Sequence, residues 1–275
     1  GKDILILVDG FQSFYGQLIP EEIETVTLLK DAASTALYGM KGANGVLLIT
    51  TKRGKEGPLK ADFSMQHGFG MPVRLPEFLN SYNYARLYNE ALFNDSHALR
   101  YSEADLDSYR KANDPYFHPD VNWYDAVLRN YAPVSKYSLT LSGGQNRARY
   151  FVLLGALRTD GLYTGTAKLS EFSTNSSFVQ YNVRANVDMD ITNSLTVSTR
   201  LGFTVSDKNN PAGYTYGAMF DLLSSLPSNS FPIYNRDASY GGNSRYTNPW
   251  GNLLEQGQFA VNKRTSQTSI LATQR

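Results

Sequence analysis

Hydrophobic and polar residues alternate cleanly in two stretches of this chain. Val179, Tyr181, Val183, Ala185, Val187 and Met189 are apolar or aromatic, and Gln180, Asn182, Arg184, Asn186 and Asp188 between them are polar. Leu195, Val197, Leu201, Phe203 and Val205 fall on one face, interrupted by Thr199, while Thr196, Ser198, Arg200, Thr204 and Ser206 fall on the other. A period of two predicts strands with one apolar and one polar face. Tyr137, Leu139 and Leu141 alternate in the same way with Ser138, Thr140 and Ser142. Arg149 to Leu157 reads as a more apolar strand, Ala61 to Gly70 as an earlier one and Arg264 to Arg275 as the start of a later one.

The first residues differ in character. Ile4 to Val8 is a short apolar run closed by the turn pair Asp9-Gly10. Pro20 suits the first turn of a helix, with Glu21, Glu22 and Glu24 at its positive end and Ile23, Val26, Leu29 and Lys30 continuing it. Asp31 is placed to cap a second short helix holding Ala32, Ala33, Ala36 and Leu37, which Gly39 ends. Gly45 to Thr51 reads as a strand, and Lys52 to Pro58 as a polar exit. The expected organisation is a small α+β unit over residues 1–57, too small to be stable alone, and a β-rich region over 58–275.

The connections between strands carry the next inference. Gly143 to Asn146 and Asp190 to Asn193 read as tight turns, whereas Gly70 to Ser135 and Asp207 to Asn262 are long excursions and Thr159 to Ser177 a medium one. In an antiparallel meander, successive connections fall at opposite ends, so the short turns share one end and the long loops the other. Strands of about 10 residues with this asymmetry point to an outer-membrane β-barrel, apolar face to lipid and polar face to the lumen. The alternative is a soluble sandwich with its apolar faces in a core, which alternation alone does not exclude. Both ends of the chain fall inside strand patterns, so a larger parent protein is expected.

Composition narrows the classes further. The formal net charge is +1, which gives no electrostatic footprint for nucleic acid. Aromatic residues reach 13%, against a disordered chain. The chain has no cysteine, so disulfides, thiolate metal sites and cysteine nucleophiles are excluded. No apolar run approaches the roughly 20 residues of a membrane-spanning helix.

Candidate chemistry is sparse. Gly39, Gly42 and Gly45 do not match the spacing of a phosphate-binding loop, and read as tight turns. His118 in Asp114-Pro-Tyr-Phe-His-Pro-Asp120 matches no metal-ligand motif, nor do His67 and His97. Asp105 and Asp107 lack the Gly and Glu of a calcium loop and read as a helix face. Lys52, Arg53 and Lys55 read as a solvated hinge. No serine sits in a nucleophile elbow. No catalytic residue, metal site or cofactor is therefore expected. The excursion after Asp207 is rich in Tyr214, Tyr216, Phe220, Phe231, Tyr234, Tyr240, Tyr246 and Trp250, spaced with Gly, Asn and Ser. Aromatic faces beside amide and hydroxyl groups suit sugar rings or peptides. Tyr214, Tyr216, Tyr240, Tyr246 and Trp250 are the ligand-binding candidates, with packing of the loop as the other reading.

Leu29-Lys-Asp-Ala-Ala-Ser-Thr-Ala-Leu-Tyr-Gly39 and Gly42-Ala-Asn-Gly-Val-Leu-Leu-Ile-Thr-Thr-Lys-Arg-Gly54 closely resemble the plug domain of SusC/RagA-type TonB-dependent transporters. Within that string, Lys30, Asp31, Tyr38, Gly39, Gly42, Asn44 and Gly45 form the plug motif. Leu7 to Gly10 and Ile19 to Val26 fit the same plug. Asn80 to Ala91 resembles the helical segment of the family's first outer loop, and Asn122-Trp123 stands where the family usually has Asp-Trp. Leu141 to Gly144 followed by Arg149-Tyr150 resembles the turn between its second and third strands. Val183 to Asp188 resembles its fourth strand, although Val179-Gln180 replaces the usual basic residue upstream. The resemblance implies the C-terminal half of an α+β plug domain followed by mainly antiparallel β structure, about the first quarter of a 22-stranded transmembrane β-barrel. It further implies the outer membrane of a Gram-negative, Bacteroidetes-like bacterium and import of a nutrient, oligosaccharide or peptide. The implied partners are a SusD-like surface lipoprotein and a TonB–ExbB–ExbD motor whose contact segment is not in this chain. A soluble glycan-binding module using the aromatic loop is the competing function.

Overall fold

The computed structural model describes residues 4–13, 18–31, 35–164, 173–213 and 217–274. Two sheets organise them. The first has β1 (Leu5–Val8), β2 (Phe11–Gln12), β3 (Ile23–Leu29) and β4 (Val46–Thr51) in the order β2-β1-β4-β3. β1 runs parallel to β4, while β2 and β3 are antiparallel to their neighbours. Asp9 and Gly10 reverse the chain between β1 and β2 with φ of 49° and 91°. Leu5, Leu7 and Val46 form the buried core of this sheet, with Tyr38 and Leu29 against it.

The helix expected from Pro20 to Lys30 is not formed. Pro20–Glu22 makes a single 3₁₀ turn, and Ile23–Leu29 is a strand paired with β4. Three β-branched residues in succession (Thr25, Val26, Thr27) disfavour a helix and suit a pleated surface, and the apolar spacing of three was coincidental to that pairing. The second expected helix is instead a 3₁₀ segment, Ala36–Gly42, broken at Gly39 by φ 56° and ψ −147°; Ala32 and Ala33 lie outside the described residues. Thr35 N and Oγ1 both donate to the Asp31 backbone carbonyl, at 3.1 and 3.0 Å.

The second sheet is a six-stranded antiparallel meander: β5 (Gly57–Gly70), β6 (Ala132–Gln145), β7 (Ala148–Asp160), β8 (Ser177–Asp190), β9 (Leu195–Pro211) and β10 (Gln258–Gln274). Several strands outrun the sequence expectation. β10 begins six residues before Arg264, and β6 continues through Gly143 and Gly144, so the chain reverses at Asn146-Arg147 with Asn146 at φ 49°. Those glycines stay in the strand because they pair with Tyr150 and Arg149 of β7, and a Cβ on either would crowd those two residues.

The long connections fold into helices. The one between β5 and β6 holds α1 (Ser81–Asn94), α2 (Glu103–Lys111) and α3 (Trp123–Val127); the one between β9 and β10 holds α4 (Ala218–Ser225) and α5 (Pro249–Glu255). Each of α1, α2, α3 and α5 starts at an Asn or Ser whose side chain accepts from first-turn amides: Asn80, Ser102, Asn122 and Asn248. The two excursions share one core, in which Trp123, Val127, Met219, Leu223, Leu226 and Leu253 are buried.

The faces of the six-stranded sheet are inverted relative to a soluble sheet. The polar residues Asn182, Arg184 and Asn186 are 4%, 6% and 3% exposed, while Tyr181 and Val183 beside them are 52% and 41% exposed. Phe63, Leu154 and Phe203 share the exposed apolar face. A soluble sandwich would bury that face.

Candidate functional site: the interface between the sheets

The inward face of β7 and β8, apolar on β7 and polar on β8, is covered by the end of β1, the 3₁₀ turn before β3 and the end of β4. Arg184, halfway along β8, is the centre. Its Nε donates to Glu22 Oε2, and its Nη1 lies 3.8 Å from Asp9 Oδ2. Arg184 has 7% of its side chain exposed, and Glu22 and Asp9 each 2%. Three charges are thus withdrawn from water together, which is tolerable only when they are mutually paired and hydrogen-bonded.

The surrounding bonds supply that pairing. Ile19 N donates to Glu22 Oε1 at 2.8 Å, and Asn182 Nδ2 donates to the same oxygen at 3.4 Å. Asp9 accepts from Thr51 N at 3.0 Å and from Thr51 Oγ1 at 2.6 Å. Asn186 Nδ2 donates to Thr51 Oγ1 and to the Lys52 carbonyl, at 2.8 and 2.7 Å. Asp9 follows β1 directly, and Thr51 ends the adjacent parallel β4, so the pairing of β1 with β4 brings them together. Away from the centre, Gln267 Nε2 of β10 donates to the Val8 carbonyl at 3.1 Å. Lys136 Nζ of β6 meets Glu21 Oε1 at 2.8 Å. Burial opposes ionisation of Glu21, but the Lys136 hydrogen bond and charge overcome it and hold the carboxyl below its usual value.

An apolar contact accompanies the charges. Ile19 packs on Phe151 and Leu153, which belong to the same face of β7. This is why β7 reads as apolar on both faces. Gly155 continues that face, and a Cβ there would sit 2.5 Å from Ile19 Cδ1; the missing side chain makes room for the isoleucine. Where the chain passes from one sheet to the other, Gly54 lies against the Tyr150 backbone, and a Cβ would stand 2.1 Å from Tyr150 N.

Sequence reasoning directed Arg184 and Asn186 inward but did not find Asp9, Glu22, Asn182 or Thr51 as their partners. An arginine among amides on a strand face was the available signal. The motif residues take other places. Tyr38 packs on the first sheet's core, Gly42 is buried with Thr35 O and Tyr38 Cβ 3.0 Å from where its Cβ would be, and Gly45 is buried at φ 103°. Lys30, Asp31, Gly39 and Asn44 are exposed. Gly45→Ala is expected to destabilise the first sheet by about 1–3 kcal/mol through backbone strain. Hydrogen exchange at β4 amides reads this, and unchanged protection of β4 would refute it.

The aromatic candidates lie in the other long connection. The Tyr234 and Tyr240 rings are 5.5 Å apart, Tyr240 OH donates to Glu255 Oε1 at 3.0 Å, and Trp250 Nε1 donates to Tyr234 OH. Burial, with Glu255 beside it, pushes the Tyr240 phenol up to about 12. Tyr246 packs on the shared helical core with Arg245 over its ring. Tyr214 and Tyr216 lie outside the described residues. His118 bonds Asp105 at 3.0 Å, tying the segment after α2 back to that helix. The His118 and Ser102 hydrogen bonds lower Asp105 to about 2. No group of three or more metal-binding side chains occurs among the described residues.

No family model matches the chain. It is 28% identical over 246 residues to TonB-dependent receptor P26 of Formosa agariphila, covering 88% of this chain and 22% of that protein. It is 27% identical over 191 residues to TonB-dependent receptor SusC of Bacteroides thetaiotaomicron, covering 68% and 17%. Solved structures of the RagAB peptide importer in its open-open and closed-closed states superpose with TM-scores of 0.71 and 0.73 at 20% and 19% identity, covering 98% and 100% of this chain and 32% and 33% of theirs. The chain is thus similar in sequence to TonB-dependent receptors, SusC among them, and in fold to the RagAB importer. It spans under a quarter of the length of the curated relatives named above. The mixed sheet docked on a long antiparallel sheet is the fold it shares with those structures.

Proposed function

We propose that residues 1–57 are the C-terminal part of a plug and residues 58–275 the first strands of a transmembrane barrel, in a protein that imports a nutrient across the outer membrane. The observation that carries this reading is the inversion of the six-stranded sheet: apolar side chains outward, buried ion pairs inward against a second sheet. Lipid is the solvent that rewards such an exterior. A barrel also requires closure, because an open sheet edge in lipid leaves backbone groups unpaired, so β5 and β10 need further strands of the parent protein. The Arg184 cluster then holds the plug to the wall, and import requires a force that releases it. The resemblance supplies candidates for that force and for a lid: a TonB–ExbB–ExbD motor and a SusD-like lipoprotein. The substrate is an oligosaccharide or a peptide, met by the outer loops, with Tyr214, Tyr216, Tyr240, Tyr246 and Trp250 as proposed contacts; the plug motif of Lys30, Asp31, Tyr38, Gly39, Gly42, Asn44 and Gly45 shapes the plug rather than the ligand site.

Sidedness tests the reading. Single cysteines at Asn146 and Asn193, in the short turns, should resist an impermeant thiol reagent on whole cells. Cysteines at Tyr163, Asn243 and Trp250 should react. Labelling of the first pair with protection of the second set would invert the topology. Energy-dependent uptake by a deletion strain complemented with the parent gene, abolished by a protonophore, tests import itself.

A further inference from the structure

Between the two long excursions lies a cleft of about 490 Å³, walled by residues 75–80, 120–125 and the end of α4. That volume is in the range of small-ligand sites, about 300–1,000 Å³. Its floor is apolar, from Leu75, Leu223 and Leu226. Phe78, 43% exposed, and Tyr124 form an aromatic side with ring centroids 5.5 Å apart. Glu77, Asp120 and Asp125 also line it, and among the described residues no Lys, Arg or His does. Asp120 Oδ1 is occupied by Ser81 and Asp125 Oδ2 by Asn122, which leaves each carboxylate an accepting oxygen. Trp123, 3% exposed, lines the same cleft, and its indole Nε1 has no acceptor.

We infer that this cleft binds a basic side chain carried on an extended peptide. The ammonium or guanidinium group meets the Glu77 and Asp125 carboxylates, and its aliphatic stem lies along Phe78 and Tyr124. Aromatic faces beside carboxylates favour a cation over a neutral group, by the ring quadrupole as well as by charge. This goes beyond import as such: it is a statement about equilibrium binding, and holds or fails whether or not uptake is observed.

The test is calorimetric titration of the full-length parent protein in detergent. Three hexapeptides differ only at one central residue, lysine, norleucine or glutamate; maltohexaose is the neutral sugar. The lysine peptide should bind, more weakly as salt rises, and the glutamate peptide should not. Glu77→Gln, at an exposed position, should weaken the lysine peptide by about tenfold or more, the loss expected for one charged hydrogen bond. Phe78→Ala, at an exposed position, should weaken it with heat-modifiable gel mobility unchanged. Equal affinity for the lysine and norleucine peptides, binding of the sugar alone, or indifference to Glu77→Gln would each overturn the inference.

Discussion

Arg184→Met should loosen the first sheet from the wall by about 3–5 kcal/mol, because it strands Asp9 and Glu22 as buried carboxylates with no cation. The effect should appear as faster protease cleavage and lost hydrogen-exchange protection in β1 and β4, with the six-stranded sheet still protected. The reverse change, Glu22→Gln, keeps the acceptor for Ile19 N but removes the charge opposite Arg184, and should be milder since Asp9 remains 3.8 Å away. The combined Arg184→Met, Glu22→Gln variant should recover part of the loss, as replaced buried pairs often do. If Arg184→Met left β1 and β4 as protected as before, the ion pair would not be what holds the two sheets together. Under the proposed function the same variant should leak small solutes through a loosened plug.

Under the proposed function, Val183→Arg should cost about 2–4 kcal/mol of barrel stability, the expected cost of an arginine on the lipid face near mid-membrane. Val183 is the midpoint of a 14-residue strand and 41% exposed, so a water-facing surface would accept the charge at almost no cost. The comparison position matters. Asn186 is 3% exposed and donates to Thr51 and Lys52, so a charge there tests the docked sheet rather than the lumen. Thr265, midway along β10 and opposite Thr204, shares the face of Gln267 and is a fairer luminal control. Thr265→Arg should assemble normally in the parent protein, and Val183→Arg should show reduced heat-modifiable mobility. Equal behaviour of the two would remove lipid from the argument.

Much of this architecture is legible in local pattern. Strict alternation over Val179 to Met189 determines a two-faced strand whatever surrounds it, since a one-residue slip would exchange the faces. Asn80, Ser102 and Asn122 cap helices within three residues of sequence, although only Asn80 to Ala91, by resemblance, and the Asp105–Asp107 stretch are expected to be helical. The spacing of short and long connections determines that the loops gather at one end. What local pattern does not carry is any outcome decided by a distant partner. Ile23–Leu29 has helical spacing and becomes a strand because β4 offers it an edge. Gly143 and Gly144 look like a turn and remain in β6 because they pair in register with Tyr150 and Arg149 of β7.

The same division separates the faces from the site. Sequence alone determined that Arg184 and Asn186 share a polar face, a consequence of chain geometry. That this face is dry was decided by the tertiary structure: Asp9 and Thr51 meet because β1 lies parallel to β4, and Glu22 reaches Arg184 across 162 positions of sequence. An ion pair of that separation leaves no periodicity to read. Its strength comes from exclusion of water, which exists only once the two sheets are in contact.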